Sequence, residues 1–232
     1  MNMNYWIYCW MLVFPCWVQG QKQLTLDFDV LYQSQNLLEE KIEHQYGSKP
    51  IVFTRFRCYL TKFELWKDGQ RIWEETDSYH LIDEENPGTT TLTLNIPEDL
   101  DYNEIHYQLG IDSATNVSGA MGGDLDPTKG MYWAWNSGYI NFKLEGRYQG
   151  CPTRKNKFQF HLGGYSAPFA TVQNIKHFLG EGNQKTIKIA VRVDEFLSKL
   201  NLIEEHSLMR PCQKAVDWSV LAASIFSLKN YE

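Results

Sequence analysis

His80 in SYHLID (78–83) and His161 in FQFHLGG (158–164) stand inside alternating, strand-like stretches. Between them runs GIDSATNVSGAMGGDLDPTKGMYWAWNSG (110–138), which carries Met121, Met131, Trp133 and Trp135. Neutral imidazole is a common metal ligand, and thioether sulfur suits soft ions. A lone strand histidine usually serves packing, but two of them beside a run rich in Trp and Met qualify as ligand candidates. His44, His177 and His206 sit in polar stretches and read as solvated, whereas His106 alternates with Ile105, Tyr107 and Leu109 and has no assigned role.

Other chemistry is thinner. Asp112, Asp124 and Asp126 have oxygen-ligand types, yet the calcium-loop signature with its closing Glu is missing, so they read as Asx caps of turns. Asn116-Val117-Ser118 is a formal glycosylation sequon. Asp83, Glu84 and Glu85 would form a glycosidase-like pair only with a carboxylate facing them, and they read as a solvated loop. No GxSxG, HExxH, CxxC or phosphate-binding glycine loop occurs, so no catalytic set presents itself and the chain reads as non-catalytic.

The elements that must position these residues follow from periodicity. QLTLDFDVLYQ and IVFTRFRCYLTKFELWKDGQRIWEE alternate apolar and polar residues, the second being broken by a hairpin signal at Asp68-Gly69. Further strands are expected at 78–83, 90–96, 104–111, 139–146, 157–164 and 186–193. So many short strands between Gly, Pro, Asn and Asp clusters predict a mainly β, antiparallel β-sandwich. Helical spacing appears in DEFLSKLNL and in QKAVDWSVLAASIFSLK, giving a short helix and a C-terminal one, while LLEEKIEHQYGSK (37–49) could supply a further turn. The stretch 110–138 is a long Gly-rich loop, of the length that is usually functional or disordered, and its aromatic area argues for an ordered one. In GMYWAWNSGY the loop ends and a strand begins near Tyr139. An extended chain there sets Trp133 and Trp135 on the same side.

The 232 residues are expected to comprise a signal peptide over 1–20 and a single domain over 21–232. The leader is apolar up to Lys22 with Val18-Gln19-Gly20 before the cut, and it is too short for a confident membrane span, so none is expected once it is removed. The destination is then periplasmic or extracellular, at the cell surface. There Cys58 reads as a buried thiol, while Cys151 and Cys212 are the preferred disulfide pair. A net charge of −6 with scattered Lys and Arg excludes a nucleic-acid footprint.

Three blocks in order, YHLIDEENP (79–87), 110–146 and FQFHLGGY (158–165), behind a leader, resemble the MbnP-like family of secreted bacterial proteins, with the SYHLID form typical of its Bacteroidetes-type members. The resemblance spans roughly 22–200. It implies a β-sandwich that binds copper, with two histidines and a tryptophan-derived kynurenine holding Cu(I), and a dihaem peroxidase-like partner protein that makes the kynurenine. Carried over by motif, His80 and His161 are the candidate imidazole ligands and Trp133 or Trp135 the modified or shielding indole, and Met131 or Met121 in the same run is a candidate soft thioether. The implied role is non-catalytic Cu(I) storage, scavenging or delivery. A competing expectation is a cell-surface interaction or glycan-binding module, in which the rings of 132–139 stack on a ligand without metal, and a third is a purely structural tryptophan cluster.

Overall fold

Alternation along QKQLTLDFDVLY turns Leu24, Leu26, Phe28, Val30 and Tyr32 inward, forming β1 (Gln21–Tyr32) in the computed structural model, which describes residues 20–38, 43–180 and 184–229. Apart from Gly20, the expected signal peptide lies outside the described residues. The chain continues through β2 (Gln35–Asn36), β3 (His44–Tyr46), the long β4 (Lys49–Lys67), β5 (Gln70–Glu74), β6 (Tyr79–Asp83), β7 (Thr91–Pro97) and β8 (Glu104–Leu109). After α1 (Ser113–Val117) come β9 (Tyr132–Trp133), β10 (Gly138–Tyr148), β11 (Lys157–Gly163), β12 (Gln173–Phe178) and β13 (Thr186–Arg192). The C-terminal part holds α2 (Val193–Leu197), β14 (Ser207–Leu208), α3 (Gln213–Ser224) and β15 (Phe226–Leu228).

Two sheets face each other, as expected of a mainly β sandwich. One runs β15-β13-β1-β2 with β7 also on β1. The larger runs β12-β8-β4-β10-β11-β14, with β3, β5 and β6 on the far edge of β4 and β9 on β10. Between them lies a core built on Phe56, Phe63, Phe142, Phe158, Phe160 and Phe196, closed by Trp218 of α3. Each such fully buried ring is worth about 1.5–3 kcal/mol of apolar transfer. Among the described residues, no helix is long and apolar enough to cross a membrane.

The structure departs from the sequence reading in identifiable places. β1 and β13 pair in parallel, Thr25 opposite Thr186 through Leu31 opposite Arg192, so the sandwich is not wholly antiparallel. β12 was not expected, because its inward residues are Ile175 and His177 while its large apolar Phe178 faces water, which blurs the alternation. The C-terminal helix stops at Ser224, and Phe226–Leu228 then pair with β13. Of the candidate turn at 37–49, residues 39–42 lie outside the described ones, and His44–Tyr46 is strand. The Asp68-Gly69 hairpin is as expected, with φ of 48° and 78° giving the left-handed pair that such a turn needs. The expected Cys151–Cys212 bridge is not formed: Cys151 turns inward with its thiol on the Leu202 carbonyl (3.2 Å), and Cys212 flanks the start of α3.

Candidate functional site

The larger sheet is covered on both faces, and its second cover is the 110–138 stretch. This segment is ordered by its own polar side chains. Asp112 caps α1 by accepting from the Thr115 N–H and Asp126 caps its turn by accepting from the Thr128 N–H, as expected, whereas Asp124 is no turn cap: it accepts from the Leu81 N–H of β6 and pairs with Lys129, tying the loop to the sheet. Asn116, 3% exposed, donates to the Ile111 and Asp112 carbonyls and accepts from the Tyr139 N–H, which leaves its amide unavailable as a glycan acceptor. Beneath the loop, a second apolar cluster gathers Tyr59, Leu81, Leu125, Met131, Trp133, Tyr139 and Ile140.

The GMYWAWNSGY stretch is a hairpin, with Trp133 opposite Gly138 across a turn of residues 134–137. The chain is therefore not extended between the two tryptophans, which corrects the expectation of a shared direction. Trp133 is 6% exposed and Trp135 66%, yet their ring centroids lie 5.4 Å apart, because the turn folds Trp135 back over Trp133. The inner ring packs over Gly163 of β11, two residues from His161 on the same face.

His161 belongs to a polar row crossing four strands: it lies opposite Lys143, which lies opposite Arg57, which lies opposite Asp83. Its Nε2 contacts Glu145 Oε1 at 2.6 Å, and among the described residues no hydrogen bond engages Nδ1. That contact, helped by the charges of Lys143 and Arg55, holds the Glu145 carboxyl down at about 2 against the opposing effect of burial. Burial in turn lowers the pKa of the Lys143 ammonium. Two of these cations tie down the loop, Lys143 Nζ donating to the Gly130 carbonyl (2.9 Å) and Arg57 to that of Lys129 (2.7 Å). Asp83 and Glu85 are not a free acidic pair, because both are ion-paired to Arg57. Glu145, Lys143 and Arg57 escaped the sequence reading, although KLE in YINFKLEG places two charges at alternate positions of an otherwise apolar strand.

His80 is not brought to this group. It lies opposite Leu60, a residue of the inter-sheet core, packs edge-on against Phe63 at 5.5 Å and has its Nε2 2.7 Å from Glu75. His80 and His161 thus occupy opposite faces of one sheet, so a single ion cannot take both, which corrects the expected two-histidine set. Met131 lies under the loop on the His161 face, while Met121 is exposed. Among the described residues, no three His, Cys, Asp or Glu side chains converge as a metal site. What fits a soft ion is narrower: one imidazole oriented by a carboxylate on its other nitrogen, the usual support of a ligating histidine, with the indole pair near by on the same face and Met131 in the apolar cluster under the loop.

Two of the remaining histidines differ from expectation, while His206 is not buried. His44 and His177 are buried, not solvated, and Tyr107 shares a 2.9 Å hydrogen bond with His177 Nε2 in the core. His106 stacks on Trp66, with centroids 4.6 Å apart, and bonds Glu104.

The MbnP family model matches residues 21–213. Among solved structures, MbnP from Methylosinus trichosporium is similar at a TM-score of 0.61, with 14% identity, covering 85% of this chain and 87% of that one, a likeness of fold. No curated protein matches. The match extends from the first residues of β1 to the start of α3 and takes in both sheets and the covering loop, so this chain belongs to the MbnP family.

Proposed function

We propose that the chain is an exported, non-catalytic copper-associated protein whose Cu(I) site is built on His161 at the outer face of the larger sheet. The observation that carries this reading is the His161–Glu145 contact at 2.6 Å beside the Trp133–Trp135 hairpin. A carboxylate on Nε2 fixes the ring and leaves Nδ1 to serve as ligand, with Met131, from the apolar cluster beneath the loop on the same face of the sheet, as the candidate soft donor. Copper would supply soft-ligand affinity for these groups. Trp135, open to solvent, is the indole an oxidising dihaem partner could reach, and Trp133 is its buried backing. Storage, scavenging or delivery of copper is the role consistent with this placement.

The test is copper content and chelator competition on protein purified under reducing, copper-replete conditions. Stoichiometric copper is expected, with affinity falling roughly tenfold or more in His161→Ala and unchanged in His80→Ala. Copper content near zero, or binding indifferent to His161→Ala, would overturn the proposal. Mass spectrometry of the tryptic peptide 130–143 reads the second part, a kynurenine at Trp135 and not at Trp133. The exposure of Trp135 also supports a metal-free stacking role. That reading predicts ligand binding lost in Trp135→Ala and untouched by a strong copper chelator.

A further inference from the structure

Beyond the loop, the outer face of the larger sheet continues to a groove that the copper reading does not use. Glu64 and Trp66 of β4, His106 and Gln108 of β8, and Asn174 and Lys176 of β12 alternate with core residues and so point outward together. The hairpin residue Arg71 and the 74–79 connection form the opposite wall. Two adjoining hollows of about 540 and 240 Å³ share Lys62, Glu64 and Gln108 as their common wall. The larger falls within the range of roughly 300–1,000 Å³ usual for small-molecule sites, and the smaller is the one lined by Trp66 and His106.

Three features define the occupant. Many of the charges here are met from within: Lys62 pairs with Asp112 (3.2 Å) and Arg71 with Glu64 and Glu74 (2.8 and 2.7 Å), while His106 shares a hydrogen bond with Glu104 (2.8 Å). The groove therefore offers hydrogen-bonding edges more than net charge, which favours a neutral ligand. An aromatic wall stands in it, the Trp66 indole stacked on His106 at 25° and held in plane by donating its Nε1–H to Glu64 (2.9 Å). Such a wall pairs an apolar surface with a polar tip. Finally, Gln108 donates through Nε2 to Asn174 (3.0 Å), while its Oε1 is buried without a partner. An unmet buried acceptor costs about 1–3 kcal/mol, which a donor supplied by a ligand removes.

We propose that this groove is a saccharide-binding site, taking a neutral sugar chain against Trp66 and His106, with the Gln108 carboxamide, whose Oε1 is unpartnered and closed to solvent in this conformation, turning to accept from one of its hydroxyls. A sugar combines an apolar C–H surface with a rim of hydroxyls. The groove presents the matching pair, aromatic rings flanked by planar carboxylate, amide and guanidinium edges. The location also separates this site from the 132–139 rings, two of which, Trp133 and Tyr139, are buried and none of which lines these hollows.

The experiment uses the full chain and a panel of neutral oligosaccharides, maltotriose, cellotriose, xylotriose, mannotriose and triacetylchitotriose, at millimolar concentration. Binding is followed by the indole N–H signals in proton–nitrogen NMR, with the Trp66 signal assigned through Trp66→Phe. At least one sugar is expected to move the Trp66 signal and leave that of Trp135 in place, with affinity weakened about tenfold or more, or about 1.4 kcal/mol, in Gln108→Leu. Absence of any shift across the panel, a shift confined to Trp135, or undiminished affinity in a folded Gln108→Leu protein overturns the assignment. The map of shifts on the unaltered protein keeps the test decisive if Gln108→Leu does not fold.

Discussion

Gly163 carries no side chain because its neighbours leave no room for one: a Cβ there would sit 2.7 Å from the Tyr139 carbonyl and 2.9 Å from the Trp133 ring. The backbone oxygen cannot yield cheaply, so Gly163→Ala should displace the indole and destabilise the protein by about 1–3 kcal/mol, the usual cost of overpacking. Urea denaturation followed by tryptophan emission checks both effects, and an unchanged midpoint with unchanged emission would show that the ring does not depend on this contact. At this scale the sequence singled out His161, because its strand alternation and its place beside the Trp-rich run were visible. It did not reveal Glu145, sixteen positions earlier, since a cross-strand partner depends on register. Nor could it separate His80 from His161. In most sandwiches a polar outer face tells inward from outward, but β10 is buried at nine of its eleven positions, and alternation beneath two covers loses that information.

The element that decides the site is the 110–138 cover, and its anchor is Asn116. One amide there closes three contacts, at the Ile111 and Asp112 carbonyls (both 2.9 Å) and at the Tyr139 N–H (2.8 Å), tying α1 to the strand that follows the tryptophan hairpin. Asn116→Ala removes the side-chain partner of the Ile111 carbonyl and of the Tyr139 N–H, while the Asp112 carbonyl keeps the residue-116 backbone N–H, at an expected cost of about 1–3 kcal/mol. Hydrogen exchange should then quicken for amides around 112–119 and at 139, while amides of the β1–β13 pairing keep their protection. Uniform quickening across both sheets, or none, would count against a local anchoring role. Turn chemistry was the most legible part of the elements, as the Asp68-Gly69 hairpin and the aspartate caps show, because it depends on a few adjacent residues. The tryptophan hairpin was less so. Its turn of Ala134, Trp135, Asn136 and Ser137 lacks the Asn-Gly or Asp-Gly signal and relies on Ser137 at a φ of 46°.

At the scale of the whole molecule, the sandwich class was readable from strand count and spacing, whereas the parallel β1–β13 pairing was not, since it joins segments from opposite ends of the chain. That closure places His177 between the sheets, where burial and, to a lesser degree, His106 lower its pKa to about 4. From pH 6.5 down to about 4, the unfolded chain binds a proton at this position that the folded one refuses. Its contribution to stability is therefore present above pH 6.5 and lost as pH falls towards 4, by about 3 kcal/mol at 1.36 kcal/mol per pKa unit. Glu145, held at about 2, adds a loss of the same sign between about pH 4.5 and 2. Glu84 acts oppositely: burial lifts it to about 7, so its contribution is present below pH 4.5 and lost as pH rises through 7. Between pH 4.5 and 6.5 His177 and Glu84 oppose each other, and the native protein should show a shallow dependence there. His177→Gln, which keeps a hydrogen-bonding partner for Tyr107, removes one side of that balance. Measured by urea denaturation at half-unit steps from pH 4 to 7.5, the variant's stability should rise relative to the native protein as pH falls below 6.5. It should also decline more steeply than the native protein as pH climbs from 4.5 to 6.5, under the influence of Glu84. A difference between the two proteins that stays constant across this range would mean that His177 is not held neutral in the fold.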